Sequence, residues 1–319
     1  NDGTYLVILT VTDECGNFSQ TVLYFQIEDT INPTIITQAS DLEVECDGAG
    51  NITALNAWLT SNGGGATATE TCSEITWTNN FTALSDLCGA TGSATVTFTA
   101  SDDCGNSSIT SATFTIVDTI APTASDATPL DIQCFTDIPP VNVNVITYDP
   151  DTCSTPTVTF DSESDNGGNG SIANPYILTR IYNVSDACGN SISVNHVITV
   201  IDDVAPTITC PSNISQSTDA GQCYASISIT DATATDNCTA DTAITITGIR
   251  SDGDDLSDSY PVGTTTITWT ATDAVNNTSS SCTQTVTVTD DEAPNAICED
   301  ITIALDSYGE ASITASDIN

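Results

Sequence analysis

The stretch SDDCGNSSITSATFTIVDTIAPTA (101–124) decides how this chain is read, because nearly the same words recur as TDECGNFSQTVLYFQIEDTINPTI (12–35) and SDACGNSISVNHVITVIDDVAPTI (185–208). Each copy runs from an Asp-x-Cys-Gly-Asn turn into a strand with apolar residues at alternate positions, then into an acidic junction closed by proline. Pro33, Pro122, Pro206 and Pro294 are spaced by 89, 84 and 88 residues, and the turn residues Asp13, Asp102, Asp186 and Asp273 keep step at 89, 84 and 87. This period marks 33–121, 122–205 and 206–293 as whole repeats, with 1–32 the tail of one more and 294–319 the head of another.

Within each repeat the pattern has period two, rich in Val, Ile and Thr, with Gly, Asn and Asp at the breaks, which predicts short antiparallel strands and an all-β fold. In TTTITWTAT (264–272) the residues Ile267, Trp269 and Ala271 share one face, with threonines on the other. Four residues before each turn aspartate stand Leu9, Phe98, Tyr182 and Trp269, read as the large core side chain of one strand. A unit of this length with several such strands fits a two-sheet sandwich of ~100 residues. Nothing resembles a long amphipathic helix.

The 43 acidic residues face only Arg180 and Arg250, giving a net charge of −41. Nucleic acid and anionic lipid both need Lys or Arg to displace their counterions, so neither is an expected partner. Self-repulsion on this scale suits a medium in which salt or divalent cations screen it. The 13 cysteines sit at comparable places in successive repeats rather than in Cys-x-x-Cys pairs, and the single His196 cannot complete a Cys/His zinc set. They read as a disulfide framework made in an oxidising compartment. No stretch is apolar for long enough to span a bilayer. The sequence has no initiator Met and opens inside a repeat, so it is read as a segment of a longer secreted chain.

ITCPSNI (208–214), GQC (221–223), TDNC (235–238), YPVGTTTITWTATDAVNN (260–277) and SCTQTVTVTD (281–290) resemble the hyalin repeat, an immunoglobulin-like module. The repeats at 33–121 and 122–205, with their DxCGN turns, are similar to repeats of giant Bacteroidota surface adhesins, including flavobacterial gliding adhesins. The resemblance implies tandem immunoglobulin-like β-sandwiches in an extended rod, joined by linkers of a few residues.

In such a sandwich the chain enters at one pole and leaves at the other, and the BC loop and FG turn share the incoming pole with the preceding linker. This places Glu28 and Asp29 near Glu70, Asp102, Asp103 and Asn106. It places Asp118 near Asp149, Asp151, Asp186 and Asn190, and Asp202 and Asp203 near Asp236, Asp273 and Asn276. Two readings fit: calcium, which takes six to eight oxygen ligands in adaptable geometry, or solvated turns built from good turn formers. The same poles pair Cys72 with Cys104 and Cys153 with Cys188 at incoming poles, and Cys46 with Cys88 at an outgoing pole. Cys210 is placed to meet Cys282, leaving Cys223 for Cys238. Cys134 is expected as a free thiol, since Asn174-Pro175 stands where related repeats carry Cys-Pro, and Cys15 and Cys298 are expected to bond outside the sequence.

No nucleophile with a base, nitrogen-rich metal set or cofactor loop is visible, so the chain reads as non-enzymatic and requires no cofactor. His196 reads as structural, and the absence of lysine excludes Lys–Asn isopeptide crosslinks. Arg180 shares the slot of Val7, Val96 and Ile267; it is either buried against a carboxylate or reaches water at an open strand end. Arg250, beside SDGDDLSDS (251–259), reads as a surface ion pair of little weight. Asp-Thr-Ile and Asp-Thr-Ala resemble the O-glycosylation signal of the same phylum at Thr30, Thr119 and Thr242. The expectation is a stalk segment of an extracellular adhesin or filament, whose partners are neighbouring repeats, other filament subunits, surfaces or glycans. The alternatives are a spacer or carbohydrate-binding tail of a secreted enzyme, and a subunit joined to the next by strand complementation.

Overall fold

Alternating Val, Ile and Thr favour long two-stranded ribbons, and these organise every repeat in the computed structural model, which describes residues 3–295 and 301–314. The chain divides into two compact units, one of Asn1–Leu130, Pro139–Asn166 and Ile177–Thr199, the other of Asp131–Ile138, Gly167–Tyr176 and Val200–Asn319.

In the first unit, β1 (Gly3–Thr12) and β2 (Phe18–Ile27) form an antiparallel hairpin. Leu9 does not hold its expected core place: it is 47 % exposed, because among the described residues only β2 pairs with β1. The next repeat comprises β3 (Thr34–Thr37), β4 (Leu42–Glu45), helices α1 (Ile52–Thr60) and α2 (Asn62–Gly65), β5 (Thr67–Thr69), β6 (Thr76–Asn79), β7 (Gly92–Ser101) and β8 (Ser107–Val117). One sheet has the order β4–β8–β7–β6 and the other pairs β3 with β5. Here the expectation of antiparallel strands throughout fails: β4 runs parallel to β8, with Leu42 opposite Phe114. The chain leaves β3 in one sheet and enters the other as β4, beside the last strand of the repeat, and this crossing reverses no direction.

Val96, Phe98 and Ala100 of β7 and Ala112, Phe114 and Ile116 of β8 point inward and are buried. Trp58 of α1 packs edge-on to Phe98, with ring centres 5.3 Å apart, and its Nε1 donates to Ser40 O at 3.0 Å. Removing a side chain such as Phe98 from water is worth about 1.5–3 kcal/mol.

The third repeat comprises β9 (Ala124–Ser125), β10 (Leu130–Ile132), β11 (Thr147–Tyr148), β12 (Thr157–Asp165), β13 (Tyr176–Ser185) and β14 (Ser191–Val200). Strands β14, β13 and β12 stand side by side in that order. Tyr182 packs with Ala127, Ile146, Val184 and Val194. Arg180 takes the buried alternative: it is 5 % exposed and its Nε donates to Glu163 Oε2 at 3.0 Å, the residue directly opposite on β12.

The second unit contains the repeat of β15 (Thr207–Thr209), β16 (Ile214–Ser217), β17 (Tyr224–Ala225), β18 (Thr233–Thr235), β19 (Thr245–Arg250), β20 (Tyr260–Pro261), β21 (Gly263–Thr272) and β22 (Cys282–Thr289). Its larger sheet runs β16–β22–β21–β19, and β16 is again parallel to β22. Trp269 is buried with Ile267, Val286 and Val288. Its Nε1 donates to buried Gln284, whose Nε2 donates to Ser212 O at 2.8 Å, so both polar groups keep a partner inside. Cys210 and Cys282 are bonded, with Cα atoms 5.9 Å apart.

Arg250 is not the surface pair expected. It is 3 % exposed, and all five of its N–H donors are used: Nε and Nη2 on the two oxygens of Asp252, Nη1 on Asp255 O and Asp258 O, Nη2 also on Ser259 O. The guanidinium stacks on Tyr260 at 3.9 Å from the ring centre. Loop 251–259 wraps the cation, and no local sequence pattern shows that.

Candidate functional site

The chemistry of this chain is concentrated at the junctions between repeats, and the DxCGN word builds them. In the turn at Asp102, Oδ1 accepts from Cys104 N at 3.0 Å and Asn106 N at 2.8 Å, while Oδ2 accepts from Asn106 Nδ2 at 2.8 Å. The turns at Asp13 and Asp186 have the same bonds. The glycine is required because it sits at φ +88° to +96° in Gly16, Gly105 and Gly189. Burial works against the charge on Asp102, yet the bonds from Asn106 outweigh it and hold the carboxyl below its ordinary range.

The turn asparagine then reaches the preceding linker. Asn106 Nδ2 donates to Asp29 O at 2.9 Å and Asn190 Nδ2 to Asp118 O at 3.0 Å. In the last full repeat this role belongs to Asn277, which donates to Asp202 O at 3.0 Å and to Asp273 Oδ2 at 2.8 Å. The expected Asn276 stands instead in the glycine place, at φ +76°. These asparagines therefore present N–H donors to the linker rather than oxygens to an ion. Replacing Asn277 with Ala strips one buried carbonyl and one carboxylate oxygen of their donor. The expected cost is about 1–3 kcal/mol, read as a lower melting temperature with the strand signal in circular dichroism retained.

Carboxylates do converge. Asp118, Asp151 and Asp186 bring oxygens within 4.8 Å of one another, and Asp202 and Asp236 do the same together with the Cys238 sulfur, as do Asp29 and Glu70 with that of Cys72. Burial pushes Asp202 above its ordinary range, and the charges of Asp236, Asp273 and Asp203 add to the rise. Asp118 is pushed up in the same way, by burial and by Asp151, Asp186 and Glu45. Six expected carboxylates lie outside these clusters, and two of them, Asp102 and Asp273, are taken up by the bonds of their own turns. Asp149 accepts from Thr123 Oγ1, Asp203 from Gln133 Nε2 and Glu28 from Gln26 Nε2, while the backbone N of Asp103 donates to Ser73 Oγ.

The cysteines overturn the pairing expected within repeats. Cys46 is bonded to Cys153, Cys88 to Cys188 and Cys134 to Cys238, with Cα separations of 6.0, 5.1 and 5.0 Å. Each bond joins the outgoing pole of one repeat to the incoming pole of the next. The expected Cys46–Cys88, Cys153–Cys188 and Cys223–Cys238 bonds are therefore not made, and Cys134 is not a free thiol. Cys72 and Cys223 carry free, exposed thiols, so the Cys72–Cys104 bond is absent too. The physical reason is the short linker, which brings the two poles together. Ala90 N donates to Cys153 O at 2.8 Å, and a Cβ on Gly89 would stand 2.7 Å from that same oxygen. Cys15 is free and exposed, and Cys298 lies outside the described residues. Thr30 and Thr242 are exposed; Thr119, also exposed, donates its hydroxyl to Glu45 at 2.9 Å.

Residues 201–288 match the family described as the HYR domain. Hyalin of Strongylocentrotus purpuratus is 34 % identical over 110 residues, which cover 34 % of this chain and 9 % of hyalin. The protocadherin GammaB4 extracellular domain aligns with 97 % of this chain and 58 % of its own length, at 15 % identity and a TM-score of 0.35. Drosophila N-cadherin EC1-4 aligns with 90 % of this chain and 83 % of its own, at 13 % identity and a TM-score of 0.28. The repeat read from ITCPSNI to SCTQTVTVTD is thus similar to the HYR domain, within an all-β chain of sandwich repeats.

Proposed function

We propose that this chain is a tension-resisting segment of an extracellular adhesion-type repeat protein, a stalk in which each repeat is locked to the next. One observation carries the reading: among the described residues three disulfides cross repeat junctions and one lies within a repeat. A bond within a repeat protects that repeat, whereas a bond across a junction holds two repeats in register under tension. Disulfides of this density belong to oxidising compartments, which supports an extracellular location. The similarity of 201–288 to the HYR domain and to hyalin supports the same class, and the finer part of the proposal, a Bacteroidota surface adhesin of the kind used in gliding, rests on the resemblance of the DxCGN repeats.

Single-molecule pulling tests the reading. Between Pro33 and Pro294 the shortest covalent path jumps from Cys46 to Cys153, returns to Cys134, crosses to Cys238, and jumps from Cys210 to Cys282. At ~3.3–3.6 Å per residue, the oxidised, fully stretched segment should reach roughly a quarter of the length of the reduced one. Equal lengths would show that the bonds carry no load and would sink the proposal.

A further inference from the structure

We infer that the Asp202 junction is a binding site for a hard divalent cation, calcium, held by the carboxylates of Asp202 and Asp236 with Asp273 beside them. Asp202 is only 3 % exposed. Its Oδ1 accepts from Val204 N at 3.2 Å and its carbonyl from Asn277 Nδ2, while Oδ2 is buried with no hydrogen-bond partner. Asp236 is divided in the complementary way. Its Oδ2 accepts from Cys238 N and Thr239 N, each at 2.8 Å, and its Oδ1 is buried with no partner.

Two desolvated carboxylates this close repel each other and lose their hydration, so they need a compensating positive charge. The protein has none to offer. Its only two basic side chains are Arg180, committed to Glu163, and Arg250, committed to Asp252. The compensating charge must therefore come from solution.

The donor set selects the ion. Cys238 is bonded to Cys134 and cannot act as a thiolate, and no imidazole belongs to the cluster, so the soft and nitrogen ligands preferred by zinc are missing. Oxygen donors on two separate loops, with the charge of Asp273 nearby and water completing the shell, match the adaptable coordination of calcium.

A related, less complete arrangement stands at a second junction, where among the clustered carboxylates Asp118 alone has a buried oxygen without a partner. At Asp118, Oδ1 accepts from Ile120 N while Oδ2 is buried without a partner, and Asp151 uses its Oδ2 on Cys153 N and Ser154 N. Asp186 supplies the third carboxylate there.

Calcium binding to the whole chain, measured by equilibrium dialysis and calorimetry with calcium chloride at fixed ionic strength, tests the assignment. Sites of this kind in extracellular modules have dissociation constants of about 10⁻⁴–10⁻³ M. Asp202→Asn, which keeps the acceptor for Val204 N, should lower the number of ions bound per chain by one and shrink the calcium-induced rise in melting temperature. Asp231→Asn, an exposed carboxylate outside the cluster, should change neither. If Asp202→Asn fails to fold, Asp236→Asn is read in the same way. An unchanged ion count in a folded Asp202→Asn chain overturns the inference. So does a wild-type chain that binds no calcium at about 10 mM, ten times the weak end of that range. A melting temperature that answers to pH and not to calcium would mean that Asp202 and Asp236 share a proton instead, which also overturns it.

Discussion

Replacing Arg250 with Ala should cost about 3–5 kcal/mol, a large share of the ~5–15 kcal/mol that holds a whole domain together. The guanidinium is the centre on which loop 251–259 closes, and its loss leaves Asp252 and the carbonyls of Asp255, Asp258 and Ser259 without a donor. For a repeat of this size the melting temperature should fall by about 12–40 °C. Lysine will not rescue it: an ammonium has three donors rather than five, and no flat face to lie on Tyr260. A melting temperature for Arg250→Lys close to that of the natural protein would refute this account.

The pair also has a pH signature. The bond from Arg250 holds the Asp252 carboxyl below its ordinary value of 3.8. A carboxyl depressed by folding contributes stability that is full above its unfolded value and is lost as pH falls through the folded one. Stability of the 206–293 repeat should thus drop below about pH 4, and Arg250→Ala should flatten that drop.

Removing the Cys134–Cys238 bond, with both residues changed to Ala, should cost about 4 kcal/mol. The bond closes 104 residues, and the entropy that such a loop takes from the unfolded chain grows only with the logarithm of its length. The bonds at Cys46–Cys153 and Cys88–Cys188, spanning 107 and 100 residues, should therefore be worth nearly the same amount singly. The readout that separates these from Cys210–Cys282 is cooperativity. With Cys134–Cys238 intact, 122–205 and 206–293 should melt in one calorimetric transition; without it they should melt in two. A single transition in both proteins would show that the crossing bond does not couple them, and a non-reducing peptide map checks the pairing itself.

Much of this architecture is legible in short words. Asp102 and Asn106 are four residues apart, so the bonds that close the turn are local, and the word predicts them wherever it occurs. Alternation in 264–272 places Ile267, Trp269 and Ala271 on the buried face for the same reason. The reading slips where a word is altered: in DAVNN (273–277) the first asparagine takes the glycine conformation, and the second becomes the tie to the linker. Asn276 stands where the other turns carry glycine, and asparagine tolerates positive φ better than most residues, which is the sequence signal that identifies Asn277.

Sequence by itself determined the repeat period, the alternation of the long strands and the DxCGN turns, since these are written in short words whose bonds run between residues close in the chain. Which poles face each other, and hence that Cys46 meets Cys153 and not Cys88, depends on contacts about a hundred residues apart and was decided by tertiary structure. The same holds for the parallel pairing of β4 with β8, and for the burial of Arg250 and of the Asp202 carboxylate. A charged residue in an acidic loop reads as solvated from its neighbours in sequence. Only the packing of distant segments around it removes the water and leaves its hydrogen bonds, or the lack of one, to decide what it does.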